Sequence, residues 1–176
     1  MQQLLVISAV GSDRKGILRD LTRVVLDCGG NIHESRMTAL ASEFAVLMLV
    51  SGKWHTVTRL EQELGRFSEN QSMNVHMRRS EPRGTRDNLL PYAVDAVCLD
   101  QPGIVHKLSD FFATREIDVA ELSTRSYAAA HTGAPMFSVQ LTVNVPADMH
   151  IAGLREEFMD FCDQHNLDAI MEPVKG

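Results

Sequence analysis

Two four-residue words carry the most distinctive chemistry of this chain: Asp13-Arg14-Lys15-Gly16 and Asp100-Gln101-Pro102-Gly103. Each stands where one apolar run stops and another begins at once, between Val10 and Ile17 in the first case and between Val97 and Ile104 in the second. An Asp followed three places later by Gly in that setting marks a strand-to-helix turn. The first turn of a helix presents free N–H groups and a partial positive charge, and a glycine there removes the side chain that would block approach. A small carboxylate can dock at such a place. The aspartates are read either as helix caps or Asx turns, or as direct ligand contacts. Gly11 and Gly16 also have the Gly-x4-Gly spacing of a phosphate loop. That loop needs Lys and then Ser/Thr next, and Ile17-Leu18 stand there instead, which argues against nucleotide binding.

An amino-acid zwitterion needs, besides a carboxylate site, an acceptor for its ammonium group. Asn31 and Asp118 lie just past the helix that follows each turn. Either could accept from an ammonium, or satisfy its own backbone as a turn residue. Catalytic patterns are missing: there is no Gly-x-Ser-x-Gly elbow and no His-Glu-x-x-His. The histidines at 33, 55, 76, 106, 131, 150 and 165 form no i, i+4 pair, so each is read as a surface or structural residue. No enzyme activity, metal or cofactor is expected.

The elements that position these residues come in two copies. At a shift of 87 positions, Val10 falls on Val97, Asp13 on Asp100, Gly16 on Gly103, Leu21 on Leu108 and Glu34 on Glu121, without a gap. After each Gly the period is helical: Ile17, Leu21, Val24 and Val25 repeat as Ile104, Leu108, Phe111 and Phe112. Gly29-Gly30 supplies a C-cap able to take positive φ, and Pro102 suits a first helical position.

Extended runs follow at 32–39 and 43–50 in the first copy and at 117–127 and 136–145 in the second, each pair a predicted hairpin. The loop of the second, AAAHTGAP, is six residues longer. Second helices carry Val57, Leu60, Leu64 and Phe67, and Ile151, Leu154, Phe158 and Phe161. Short strands near 73–79 and 168–174 close the copies. The order is βαββαβ twice, an α+β class with two ferredoxin-like units, each a four-stranded antiparallel sheet with both helices on one face. The expected domains are 1–80 and 92–176, joined by a polar linker at 81–91.

Composition narrows the function. The 176 residues carry a formal net charge of -6, which repels a phosphate backbone. Arg78, Arg79, Arg83 and Arg86 form the one local basic excess, read as a solvated linker rather than a nucleic-acid patch. Cys28, Cys98 and Cys162 share no short spacing, so neither a disulfide framework nor a zinc site is expected, and a reduced, cytoplasmic setting fits. The opening MQQLLVISAV is too short for a membrane span and reads as a first strand. Uncovered sheet edges on each small unit lead us to expect association as at least a homodimer.

On these residues, GSDRKGIL with a following GGNI, and LDQPGIV with a following IDV, the chain resembles the ACT domain, the small-molecule-sensing module of amino-acid metabolism. The resemblance covers nearly the whole chain. It implies regulation: ACT units pair side by side, often across chains, and bind an amino acid where the first strand-to-helix turn of one unit faces its neighbour. The implied ligand loops are Gly11, Ser12, Asp13, Lys15, Gly16 and Ile17, and Leu99, Asp100, Pro102, Gly103 and Ile104. Asn31 with Ile32, and Asp118 with Val119, are the implied polar partners and their neighbours. Lys15 stands where the family pattern has Pro, and Cys98 where it has the Gly that copy one keeps as Gly11. Two function classes result. One is a non-catalytic regulator that senses a small amino acid, glycine or serine first, and acts by contacting a transcription activator protein. The other is a detached ACT subunit that docks on a metabolic enzyme. Direct DNA binding is disfavoured, since no helix-turn-helix is visible and the net charge has the wrong sign.

Overall fold

A computed structural model describes residues 2–84 and 88–174. The chain divides into two compact units, Met1–Gly84 and Thr85–Gly176. Unit 1 runs β1 (Gln2–Ser12), α1 (Ile17–Asp27), β2 (Asn31–Leu40), β3 (Glu43–Lys53), α2 (Trp54–Gln71) and β4 (Asn74–Ser80). Unit 2 repeats the order with β5 (Leu89–Leu99), α3 (Ile104–Ala113), β6 (Asp118–Ala128), β7 (Pro135–Pro146), α4 (Ile151–His165) and β8 (Asp168–Pro173). Each forms an antiparallel four-stranded sheet, in the orders β2-β3-β1-β4 and β6-β7-β5-β8. This is the expected α+β, ferredoxin-like fold.

Strand alternation puts one face of each sheet against the helices. In unit 1, Leu5, Ile7 and Ala9 of β1 and Phe44, Val46, Met48 and Val50 of β3 pack with Leu21, Val25, Val57, Leu60 and Leu64 of the two helices. In unit 2, Val94 and Ala96 of β5 and Val139, Leu141 and Val143 of β7 meet Leu108, Phe111, Phe112, Leu154 and Phe158. The helical stripes read from the sequence are therefore the buried faces, with Val24, Phe67, Ile151 and Phe161 at their partly buried margins. Aromatic rings fill much of the second core: Phe112 meets Phe111 edge-on at 5.2 Å between centroids and Phe158 at 5.7 Å.

Helix ends repeat as well. After α1, Gly29 takes φ 80°, and Gly30 N–H returns to Val25 C=O at 2.9 Å, so the glycine pair closes the helix as its position implies. Glu116 does the same after α3 at φ 57°, at a cost that glycine avoids. Pro102 differs from expectation. Helix α3 starts at Ile104, behind Gly103, so the proline lies in the turn and not at the first helical position. The two hairpins diverge where the sequence gained length: Ala41-Ser42 suffice between β2 and β3, whereas residues 129–134 join β6 to β7. That longer loop is closed by Ala129 N–H on Ala134 C=O at 2.9 Å, with Gly133 at φ 68°.

Strand β5 begins inside the expected linker. Leu89, Leu90 and Pro91 pair with Pro146, Val145 and Asn144, because the polar composition ends at Asn88 and the apolar residues after it extend the ladder. Residues 85–87 of that linker, with Arg86, lie outside the described residues, as do Met1 of the expected first strand and domain, and residues 175 and 176 of the second domain.

Candidate functional site

The two strand-to-helix turns have one backbone design. Gly16 and Gly103 sit at φ 84° and 89° with ψ near 0°, a left-handed conformation that side chains other than glycine's adopt at a cost. The Gly16 and Gly103 carbonyls accept the first helical bonds, from Asp20 N–H at 3.0 Å and Lys107 N–H at 2.9 Å. Neither helix start has a side-chain cap, so the capping role read for Asp13 and Asp100 does not hold. Their backbones are what matter locally: Asp13 N–H donates to Ser42 C=O and Asp100 N–H to Pro135 C=O, both at 2.9 Å, tying each turn to the tip of the neighbouring hairpin. The uncapped first turns keep N–H groups available to an anion.

Side chains around the turns divide into core and rim. Ile17 and Ile104 are buried and only their backbones can face a ligand. Gly11 is buried too, and a Cβ there would stand 2.7 Å from Met73 Cγ, so its missing side chain serves close packing. Ser12, Asp13, Lys15, Asp100 and Pro102 are exposed, as is Leu99 at the end of β5.

The sequence did not reveal a charge cluster beside the first turn. Arg14 Nη2 donates to Asp20 Oδ2 at 2.8 Å and to Gln71 Oε1 at 2.6 Å, and Arg19 Nη2 donates to Asp20 Oδ1 at 2.9 Å. Hydrogen bonds from Arg14, then from Arg19, hold the Asp20 carboxyl below its ordinary 3.8. Asp20 thus brings a negative charge to the first turn of α1, whereas α3 has no acid in its first turn and carries Lys107 there.

Within one unit the turns and their polar partners are not brought together. Gly11 lies opposite Phe44 on β3 and Asn31 lies opposite Ser51, seven residues further along that strand. At a rise of about 3.3 Å per residue they stand about 23 Å apart. Asp118, opposite Asn144, is likewise eight residues along β7 from Met136, the partner of Leu99, or about 26 Å. Ile32 leans on the first core and Val119 is exposed near the start of β6. Each edge strand carries a bulge just past these residues, at His33 in β2 and at Ala120 in β6, a repeated irregularity that no sequence period signals.

Near Asn31 lies a polar cluster that sequence reasoning passed over. Ser51, 1% exposed, accepts from Gln2 Nε2 at 2.9 Å and is hydrogen-bonded to His33 Nε2 at 2.7 Å. Both bonds fix the hydroxyl between β1 and β2 at the end of the sheet where β2 begins. Among the described residues no cluster of His, Cys, Asp or Glu could hold a metal, and no helix is long and apolar enough to cross a membrane. The three cysteines are free and buried, and burial pushes the Cys162 thiol up to about 11, far from a reactive thiolate.

Comparison with known proteins agrees with this architecture. Residues 3–78 match the family model of the ACT domain. Over 173 residues the chain is 31% identical to the glycine cleavage system transcriptional repressor of Escherichia coli strain K12, covering 98% of this chain and 91% of that protein. The chain belongs to the ACT-domain family of that repressor. The corresponding protein of Shigella flexneri matches to the same extent, 31% over 173 residues. A crystal structure of a candidate glycine cleavage system transcriptional repressor superposes with a TM-score of 0.75 at 30% identity, covering 100% of this chain and 99% of that one. A protein of unknown role from Galdieria sulphuraria shares the fold, with a TM-score of 0.79 at 24% identity over 99% of this chain and 100% of its own. Both of these bacterial relatives are named transcriptional repressors, and the similarity along the chain supports a regulatory ACT protein.

Proposed function

We propose that this chain is a non-catalytic, amino-acid-responsive repressor of glycine cleavage system transcription, acting in the cytoplasm through an activator protein rather than through DNA. The observation that carries the reading is the similarity to the Escherichia coli repressor along 98% of the chain. The net charge of -6 supports the choice of a protein partner, since phosphate binding needs several cations on one face. Arg79, one of the few candidates for such a face, is spent on Glu61 at 2.8 Å.

The sensed ligand is a small amino acid, glycine or serine first. Its carboxylate lies on the turn of Gly11–Ile17 or Leu99–Ile104 and its ammonium on Asn31 or Asp118. Because these groups are far apart within a unit, the two halves of a site come from two different chains. Edge strands β2 of two chains laid antiparallel would bring Asn31 of one toward the turn of the other, which gives the homodimer a functional reason. Ligand then alters activator binding only to the extent that it prefers one state of the assembly.

Cells lacking the chain should transcribe the glycine cleavage genes without added glycine, and restoring the chain should silence them. Unchanged transcript levels in both strains would remove the reading.

A further inference from the structure

The two units share a fold but enter their second helices differently. In unit 1 the ladder of β1 against β3 closes with Gln3 opposite Gly52 and Gln2 opposite Lys53. In unit 2 the equivalent end of β5 against β7 has Leu90 opposite Val145 and Leu89 opposite Pro146. Helix α4 is capped from within, since His150 Nδ1 accepts from Gly153 N–H at 3.1 Å. Helix α2, 18 residues long, follows Lys53 with no side-chain cap and no acid in its first turn. Its free N–H groups and its positive end are left uncompensated.

Over this helix start lies a recess lined by residues that include Gln2, Gly29, Asn31, Gly52, Trp54 and Thr56. Thr56 points to a ligand independently of the helix end. It is 6% exposed, yet its hydroxyl has no hydrogen-bond partner among the described residues. No fully buried side-chain polar atom there goes unpartnered, so Thr56 Oγ1 opens on the recess. The rest of the side chain is fixed: a Cβ on Gly52 would stand 2.5 Å from Thr56 Cγ2, so the bare glycine admits the methyl group and leaves Oγ1 facing the hollow between Gly29 and Gly52.

We propose that unit 1 carries a second small-molecule site, in which a carboxylate is held by the N–H groups of Trp54, His55 and Thr56, the Thr56 hydroxyl and the Lys53 ammonium. Lys53 is the one Lys or Arg lining the recess, which suits a monoanion better than a phosphate dianion. Trp54, 61% exposed on the rim, offers a face for the body of the ligand. The recess stands away from the strand-to-helix turn of its own unit, Lys53 being nine residues along β3 from Phe44, the partner of Gly11, or about 30 Å, but it shares Asn31 with the amino-acid site proposed above.

Amide resonances of the full chain, titrated with sodium acetate against a sodium chloride control of equal ionic strength, test this, with fluorescence of Trp54, the chain's single tryptophan, as a second readout. Saturable shifts at Trp54, His55 and Thr56 are expected. Thr56→Val, nearly the same shape and checked for folding by circular dichroism, should weaken them about tenfold, the cost of one hydrogen bond to a charged group. Gly16→Val should leave them in place, which separates this site from the turn site. Shifts that do not saturate, or saturate equally in Thr56→Val, would overturn the proposal. Tighter saturation by inorganic phosphate than by acetate would overturn its assignment to a carboxylate.

Discussion

Gly16 and Gly103 each hold a left-handed turn at the mouth of a helix, and that single requirement links stability to the ligand binding proposed for the turns. Gly16→Val should cost about 1–3 kcal/mol in denaturant unfolding, the price of forcing a β-branched residue to positive φ. It should also abolish binding at the first turn, which calorimetry with glycine and serine measures. Native affinity should be weak, on the order of 10 µM to 1 mM, because few ligand atoms limit the binding energy. Asn31→Ala should reduce it as well, from the ammonium side. The Arg14 and Arg19 bonds to Asp20 have their own signature: its folded carboxyl binds a proton less readily than the unfolded one. Their contribution is present above the ordinary 3.8 and is lost as pH falls through the lowered folded value. Asp20→Asn should flatten that acid limb of a stability profile measured by circular dichroism, and an unchanged limb would show that the cluster does not act in this way.

Among the elements, the repeat of strand, helix and hairpin was legible because burial imposes a period. Ile17, Leu21 and Val25, and Ile104, Leu108, Phe111 and Phe112, had to share a face for their helices to cover a sheet. Phe112→Ala, which empties a wholly buried position among Phe111 and Phe158, should cost about 3–5 kcal/mol in thermal unfolding. Helix entry was less legible. Asp13 and Asp100 are good caps by type, but left-handed glycines at the helix mouths leave no aspartate cap, and Pro102 was displaced into the turn with them. The bulges at His33 and Ala120 and the Gln2-Ser51-His33 cluster depend on strand register, which no local word encodes. The separation of Asn31 from Gly16 is also a matter of register: nearness in the chain across one helix is no measure of nearness on a sheet whose strand runs back the full length of the unit.

At the scale of the molecule, the chain is two ACT units in tandem, and the surfaces they expose are the places where partners can dock. Edge strands β2 and β6 are mostly or wholly exposed along their length, and we expect light scattering to give twice the 19.6 kDa chain mass at micromolar concentration. A monomer would contradict the proposal that the turn of one chain meets the polar partner of another. The central claim, repression through a protein and not through DNA, is tested most directly by mobility shift on the glycine cleavage promoter, with and without its activator. The account predicts that this chain alone leaves the DNA unretarded, and that it changes the shifted species only when activator is present. Retardation by this chain alone, specific in sequence and weakened by salt, would contradict it.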